Sequence, residues 1–148
     1  NGDAARFAGF GLPVLPDDMT SLGPLSGLLS GLRWAAARGA SALVTASVDS
    51  PFLPGDLVPQ LCLAAEGAAS GVALAESGGK MHPTFGLWPV TVEPALRGFL
   101  ASGAKPRVLD FARAQGAVPA AFPDPEAFLN INTPEDLARA EILIGGGT

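Results

Sequence analysis

Residues 41–48, SALVTASV, are a run of small and β-branched residues that breaks at Asp49, Ser50 and Pro51, and over residues 54–66 the apolar pattern turns helical. A buried strand followed at once by a helix is the repeating unit of α/β folds, and an apolar strand without polar alternation needs cover on both faces. The same change of period recurs along the chain. Residues 11–15, GLPVL, read as a short strand closed by Pro16, Asp17 and Asp18. A helix is expected from Gly23 and Pro24 to about Arg38: proline suits its first turn, Gly39 stops it, and Leu25, Leu28, Leu29 and Leu32 form one face. Residues 71–75 and 82–88 read as further strands around a Gly78-Gly79 turn, 92–101 and 106–115 as helices, and 117–122 as a short edge strand. Thr133, Pro134, Glu135 and Asp136 open a last helix that ends near Leu143, with a cap residue, a first-turn proline and two acids at the positive end of the dipole. The expected class is α/β with a mostly parallel sheet and one antiparallel excursion at the closely spaced third and fourth strands.

A chain of 148 residues is one domain, spanning 1–148, and can bury a real core. With 48% hydrophobic and 16% charged residues, disorder is not expected despite 19 glycines and 14 prolines. The net charge of −5 argues against a nucleic-acid partner, which would require a basic face. A single nucleotide is compatible with it, because backbone amides and a metal can hold phosphates. Cys62 is the only cysteine, so no disulfide framework or zinc cluster is expected and a reducing cytoplasm fits. No membrane association is expected: the apolar stretch around residues 25–32 is interrupted by Gly and Ser and stops at Arg33, short of the roughly 20 residues a span requires.

Two places carry candidate chemistry. In open α/β sheets ligands bind beyond the carboxyl ends of the strands, where Asp49 stands in TASVDSPFLP. A carboxylate there can hold Mg²⁺, which takes one or two carboxylates and leaves its other positions to water and phosphate; alternatively Asp49 and Ser50 only shape the turn before Pro51. The second place is LPVLPDDMTSLGPLSG, where carboxylates Asp17 and Asp18 precede a glycine-rich helix start. Free N–H groups at that start favour an anion, and Gly23 and Gly27 let a ligand approach the backbone, although glycines every four residues also serve helix–sheet packing. Asn130 and Asn132 alternate with apolar residues in FLNINTPEDL, so their amides either share one face toward a heteroaromatic ring or cap the next helix. His82, the only histidine, and Arg107, after SGAKP, read as ligand contacts or as ordinary structural and solvated side chains.

Taken in order, GPLSGLLSGL, VDSPFLPGDLV, HPTFGLWPV and FLNINTPEDLA make the chain similar to the molybdenum cofactor guanylyltransferases, from residue 1 to about 141. The resemblance implies a three-layer α/β/α, Rossmann-like nucleotidyltransferase fold. It also implies transfer of GMP from GTP to the terminal phosphate of molybdopterin or its molybdenum cofactor, with release of pyrophosphate. On it Asp49 is the catalytic, Mg²⁺-binding aspartate; Asp17, Gly23, Gly27 and Asp49 face the nucleotide; and His82, Arg107, Asn130 and Asn132 face the pterin. Cofactor-insertion enzymes and client molybdoenzymes are the further partners it suggests.

The family's opening glycine-rich loop and its lysine have no counterpart before NGDAARF, so an N-terminal βαβ unit is expected to be absent and the chain alone inactive. Two alternatives follow from the same motifs. One is a sister enzyme, a cytidylyltransferase for the same cofactor or one acting on a sugar or isoprenoid phosphate. The other is a non-catalytic carrier of the cofactor.

Overall fold

The computed structural model describes residues 9, 11–15, 23–103 and 107–145. Within them the order is α1 (Pro24–Ala37), β1 (Ala42–Thr45), α2 (Leu57–Glu66), β2 (Ala73–Ser77), β3 (Lys80–Pro89), a 3-10 turn (Val90–Val92), α3 (Glu93–Ala101), α4 (Val108–Ala114), β4 (Val118–Phe122) and α5 (Pro134–Gly145). The four strands form one sheet in the order β1-β3-β2-β4. β1, β2 and β4 run the same way and β3 runs against them, so the sheet is mixed and helices flank it on both faces. The expected antiparallel excursion is β3. It lies between β1 and β2, so of the described ladders only β2 with β4 is parallel.

Residues 11–15 are not a strand: they form a turn and irregular chain, with Gly11 at φ 65° and Leu12 73% exposed. Pro13 also removes a ladder donor there, and the apolar residues of GLPVL find no described strand to pair with. β1 is likewise shorter than residues 41–48 suggest, and α2 begins at Leu57 rather than 54.

Alternation along the strands sorts the core. Val72 and Leu74 face α1, α3 and α4, where they meet Leu25, Leu28, Leu29, Leu32, Leu96 and Phe111 around Trp88. Ala73 and Ala75 face the other way, toward Leu57 and Leu61 of α2 and Phe85, Phe122 and Phe128. Each fully buried leucine or phenylalanine contributes about 1.5–3 kcal/mol of apolar transfer. The glycines of α1 divide their work. A Cβ on Gly31 would stand 2.8 Å from Leu43 Cδ2, so this glycine seats the helix on the sheet. Gly23 precedes the helix at φ 63° and ψ −147°, a conformation that favours glycine, with Pro24 as the first helical residue.

The register of β3 positions the cleft. Ala73 and Leu74 pair with Leu87 and Gly86, but Ala75, Glu76 and Ser77 pair with His82, Met81 and Lys80. Pro83, Thr84 and Phe85 therefore have no partner on β2, and the ladder with β1 has already ended at Thr45–Gly86. A bulge of this kind is where a sheet tolerates proline, which cannot donate to a ladder. HPTF is thus the sequence of a bulge, and it explains why β1 stops at Thr45.

Candidate active site

Two cavities open at the carboxyl ends of the parallel strands. The smaller, about 330 Å³, is lined by Pro24, Gly27 and Leu28 of α1, by residues 45–48 after β1, and by Trp88 and Val108. The larger, about 560 Å³, lies between the β2–β3 hairpin and the segment before α5, with Ser77, His82, Phe128, Asn130 and Arg139 on its wall. Pro83 and Thr84 of the bulge line both, so the cavities are two halves of one cleft.

Asp49 follows directly on the residues 45–48 that line the smaller cavity, though it lines neither cavity itself. Its carboxylate accepts a hydrogen bond from Ser47, which lines the smaller cavity, and its backbone carbonyl accepts from the Ile131 N–H at 2.8 Å. Next to it Ser50 is buried and donates to Asn130 Oδ1 at 2.6 Å. The chain thus brings the Asp49–Ser50 loop against Asn130 and Ile131, with Gly27 on the wall of the smaller cavity and His82 on that of the larger; Gly23 lines neither. The donor set at Asp49 fits Mg²⁺: a hard, half-buried carboxylate oriented by a neighbouring hydroxyl, open to an ion that keeps most of its coordination for water and phosphate. Among the described residues no group of three or more His, Cys, Asp or Glu stands ready as a metal site.

His82 is held by more than one contact. Its Nε2 is 2.8 Å from Ser77 Oγ, its ring lies 4.6 Å from that of Phe128, and Phe85 meets it edge-on at 6.5 Å. Burial, and secondarily the Lys80 charge, hold its pKa below the ordinary 6.5 against the opposing pull of Glu76. Arg139 is paired with Glu126 on the same wall.

Asn132 and Arg107 line neither cavity. The Asn132 N–H belongs to the start of α5, where Asp136 Oδ2 accepts from Asn132 N at 3.1 Å and Thr133 N at 3.0 Å while Thr133 Oγ1 accepts from Asp136 N. This reciprocal cap lowers the Asp136 pKa, chiefly through the Asn132 bond. Arg107 is exposed and precedes α4; its neighbour Val108 reaches the smaller cavity. Asp17 lies outside the described residues. Ser47, Ser77, Thr84 and Phe128 are cleft residues the sequence reading passed over, and Ser50, read there as a turn former, is the partner of Asn130; the proline inside a strand pattern at 83 was the available signal for Thr84.

The smaller half of the cleft combines a glycine-rich helix start with a carboxylate loop, an arrangement suited to a phosphorylated ligand and a cation. No helix among the described residues is long and apolar enough to cross a membrane. Comparison with known proteins identifies the family. A protein of Cereibacter sphaeroides named molybdenum cofactor guanylyltransferase is 62% identical over 97% of this chain and 72% of its own length. One of Mesorhizobium japonicum with the same name is 47% identical over 97% of this chain and 73% of its own. The crystal structure of molybdopterin-guanine dinucleotide biosynthesis protein A from Archaeoglobus fulgidus superposes with a TM-score of 0.73 over 97% of this chain and 74% of that one, at 20% identity, and so supports the fold. With the MobA-like NTP transferase domain matching residues 1–117 as well, the chain belongs to the MobA-like nucleotidyltransferase family.

Proposed function

We propose that the protein is a molybdenum cofactor guanylyltransferase, which transfers GMP from GTP to the terminal phosphate of molybdopterin or its molybdenum-bearing form. The observation that carries this reading is the two-part cleft, whose shared wall is the bulge at Pro83 and Thr84, in a chain 62% identical to a protein of that name. GTP occupies the smaller half, against Gly23, Gly27 and the Asp49 loop, with Asp17 as a further nucleotide contact. The pterin occupies the larger half, against His82 and Asn130, with Asn132 and Arg107 at its margins.

In the reaction a terminal phosphate oxygen of the pterin substrate attacks the α-phosphorus of GTP. The bond from the α-phosphorus to the bridging oxygen breaks, and pyrophosphate leaves with that electron pair. Both reactants are anions, so catalysis is chiefly alignment and charge neutralisation. Asp49 would hold Mg²⁺, which neutralises phosphate charge when bound. Ser47 orients the Asp49 carboxylate. The α1 start offers N–H donors to the phosphates, while His82 and Asn130 fix the second substrate. No side chain acts as a nucleophile. The reaction belongs to the cytoplasm, where the product passes to cofactor-insertion enzymes and molybdoenzyme clients.

Calorimetric titration of the native-length protein with GTP and with CTP, each with and without Mg²⁺, tests the reading. Magnesium-dependent binding of GTP in preference to CTP is expected. A preference for CTP would move the protein to a cytidylyltransferase role, and binding of neither would refute nucleotidyl transfer.

A further inference from the structure

Ser50 is 7% exposed, although Pro51 after it is exposed and Asp49 before it is half-buried. A hydroxyl withdrawn from water needs a partner, and this one donates to Asn130 Oδ1 at 2.6 Å, across 80 positions of sequence. Beside it the Ile131 N–H donates to the Asp49 carbonyl at 2.8 Å. Two consecutive residues of the loop after β1 are therefore bonded to two consecutive residues before α5. Asn130 is exposed and lines the larger cavity. A primary amide offers one accepting oxygen and one donating nitrogen. With Oδ1 held against the serine hydroxyl, the NH₂ group, with its two N–H donors, lies on the side of the amide away from Ser50 and is left for a ligand.

We propose that Ser50 is a positioning residue that fixes the Asn130 amide as a hydrogen-bond donor to the larger cavity. The ligand bound there then meets Asn130 with an acceptor: a ring carbonyl, an unprotonated ring nitrogen or a phosphate oxygen. The proposal rests on the reading of the larger cavity as the place of the pterin substrate. The paired bonds also tie the Asp49 backbone to the segment that touches this substrate, so one latch aligns both halves of the cleft.

Steady-state kinetics of Ser50→Ala, Ser50→Thr, Asn130→Asp and the Ser50→Ala/Asn130→Asp double variant test it. Aspartate at 130 keeps the acceptor for Ser50 and loses the donor. Ser50→Ala is expected to raise the KM for the pterin substrate about tenfold, with the KM for GTP unchanged, and Ser50→Thr to restore it to within about twofold. Asn130→Asp raises the same KM, and adding Ser50→Ala causes no further loss, because the serine acts only through the amide. A wild-type KM in Ser50→Ala, or single effects that multiply in the double variant, would overturn the proposal. Should the wild-type protein transfer no guanylyl group, the proposed function falls, and the latch is judged separately by NMR of the Asn130 side-chain amide in the ligand-free protein. A shifted and faster-exchanging NH₂ signal in Ser50→Ala then supports it, and an unchanged signal overturns it.

Discussion

Replacing Gly86 by alanine should destabilise the protein out of proportion to the single methyl added. A Cβ at this position would lie 2.6 Å from Leu74 Cδ2, 3.0 Å from Trp88 Nε1 and 3.1 Å from the Ala73 carbonyl oxygen. The first of these is about 1 Å inside the ~3.5–4.0 Å optimum for carbon contacts. Leu74 and Trp88 are fully buried in the same core, and the Ala73 oxygen is backbone of the paired strand, so none of the three can swing clear. Overpacking of this kind costs about 1–3 kcal/mol. If Trp88 Nε1 is pushed off Thr45 Oγ1, now 3.1 Å away, about 0.5–1.5 kcal/mol more is lost. A destabilisation of roughly 2–4 kcal/mol follows, which at a urea m-value of about 2 kcal/mol/M lowers the midpoint by about 1–2 M. Urea unfolding followed by fluorescence of Trp34 and Trp88 measures it. Gly98→Ala is the control: it adds a Cβ with nothing within 4 Å in the interior of α3, and should raise stability by about 0.5–1 kcal/mol. A Gly86→Ala midpoint equal to wild type would refute the account of how β2 and β3 pack.

Asp49→Asn should abolish nucleotidyl transfer while leaving the unfolding free energy within about 0.5 kcal/mol of wild type, since the residue is half-buried and its backbone bond to Ile131 survives; near-normal turnover would reduce Asp49 to a turn residue. For His82 the folded pKa lies below the unfolded 6.5, so the unfolded chain takes up a proton that the folded chain resists. Its stability contribution is complete above about pH 6.5 and falls as pH drops through the folded pKa, and His82→Gln should flatten the stability profile over that window; an identical slope in the variant would contradict it. Thr133→Ala, which removes the side-chain cap of α5, should cost about 1 kcal/mol in the same unfolding assay, and no loss would mean that the cap is idle in solution.

The helical half of the fold was legible because its signals are local. The leucine spacing of α1, Pro24 and the Thr133-Pro134 start each stand within a turn of what they determine. The strands were legible as segments but not in their pairing. GLPVL has the composition of a strand, yet hydropathy carries no information about whether a partner edge is there to receive it. The alternation of HPTFGLW likewise conceals a register shift, because the three unpaired residues at 83–85 are visible only against β2. At the site, Gly27, His82 and Asn130 were singled out from residue type and position at strand or helix ends and line the two cavities, with Asp49 in the adjoining loop. Ser50 was read as a turn former because its partner is remote in sequence; spacing alone could not connect it to Asn130.

That remoteness also sets an order in the making of the molecule. The Asp49 loop leaves the ribosome 80 residues before the segment that fastens it, an interval of roughly 4–16 s at 5–20 residues per second. All four described strands, the last ending at Phe122, have been synthesised before Asn130 emerges. The sheet can therefore form around an unfastened loop, and the non-local closure that aligns Asp49 comes late, as contacts of high sequence separation do. A nascent chain can thus acquire its hydrophobic interior well before the Asp49 loop is fastened, and on the proposed function competence waits for the segment before α5.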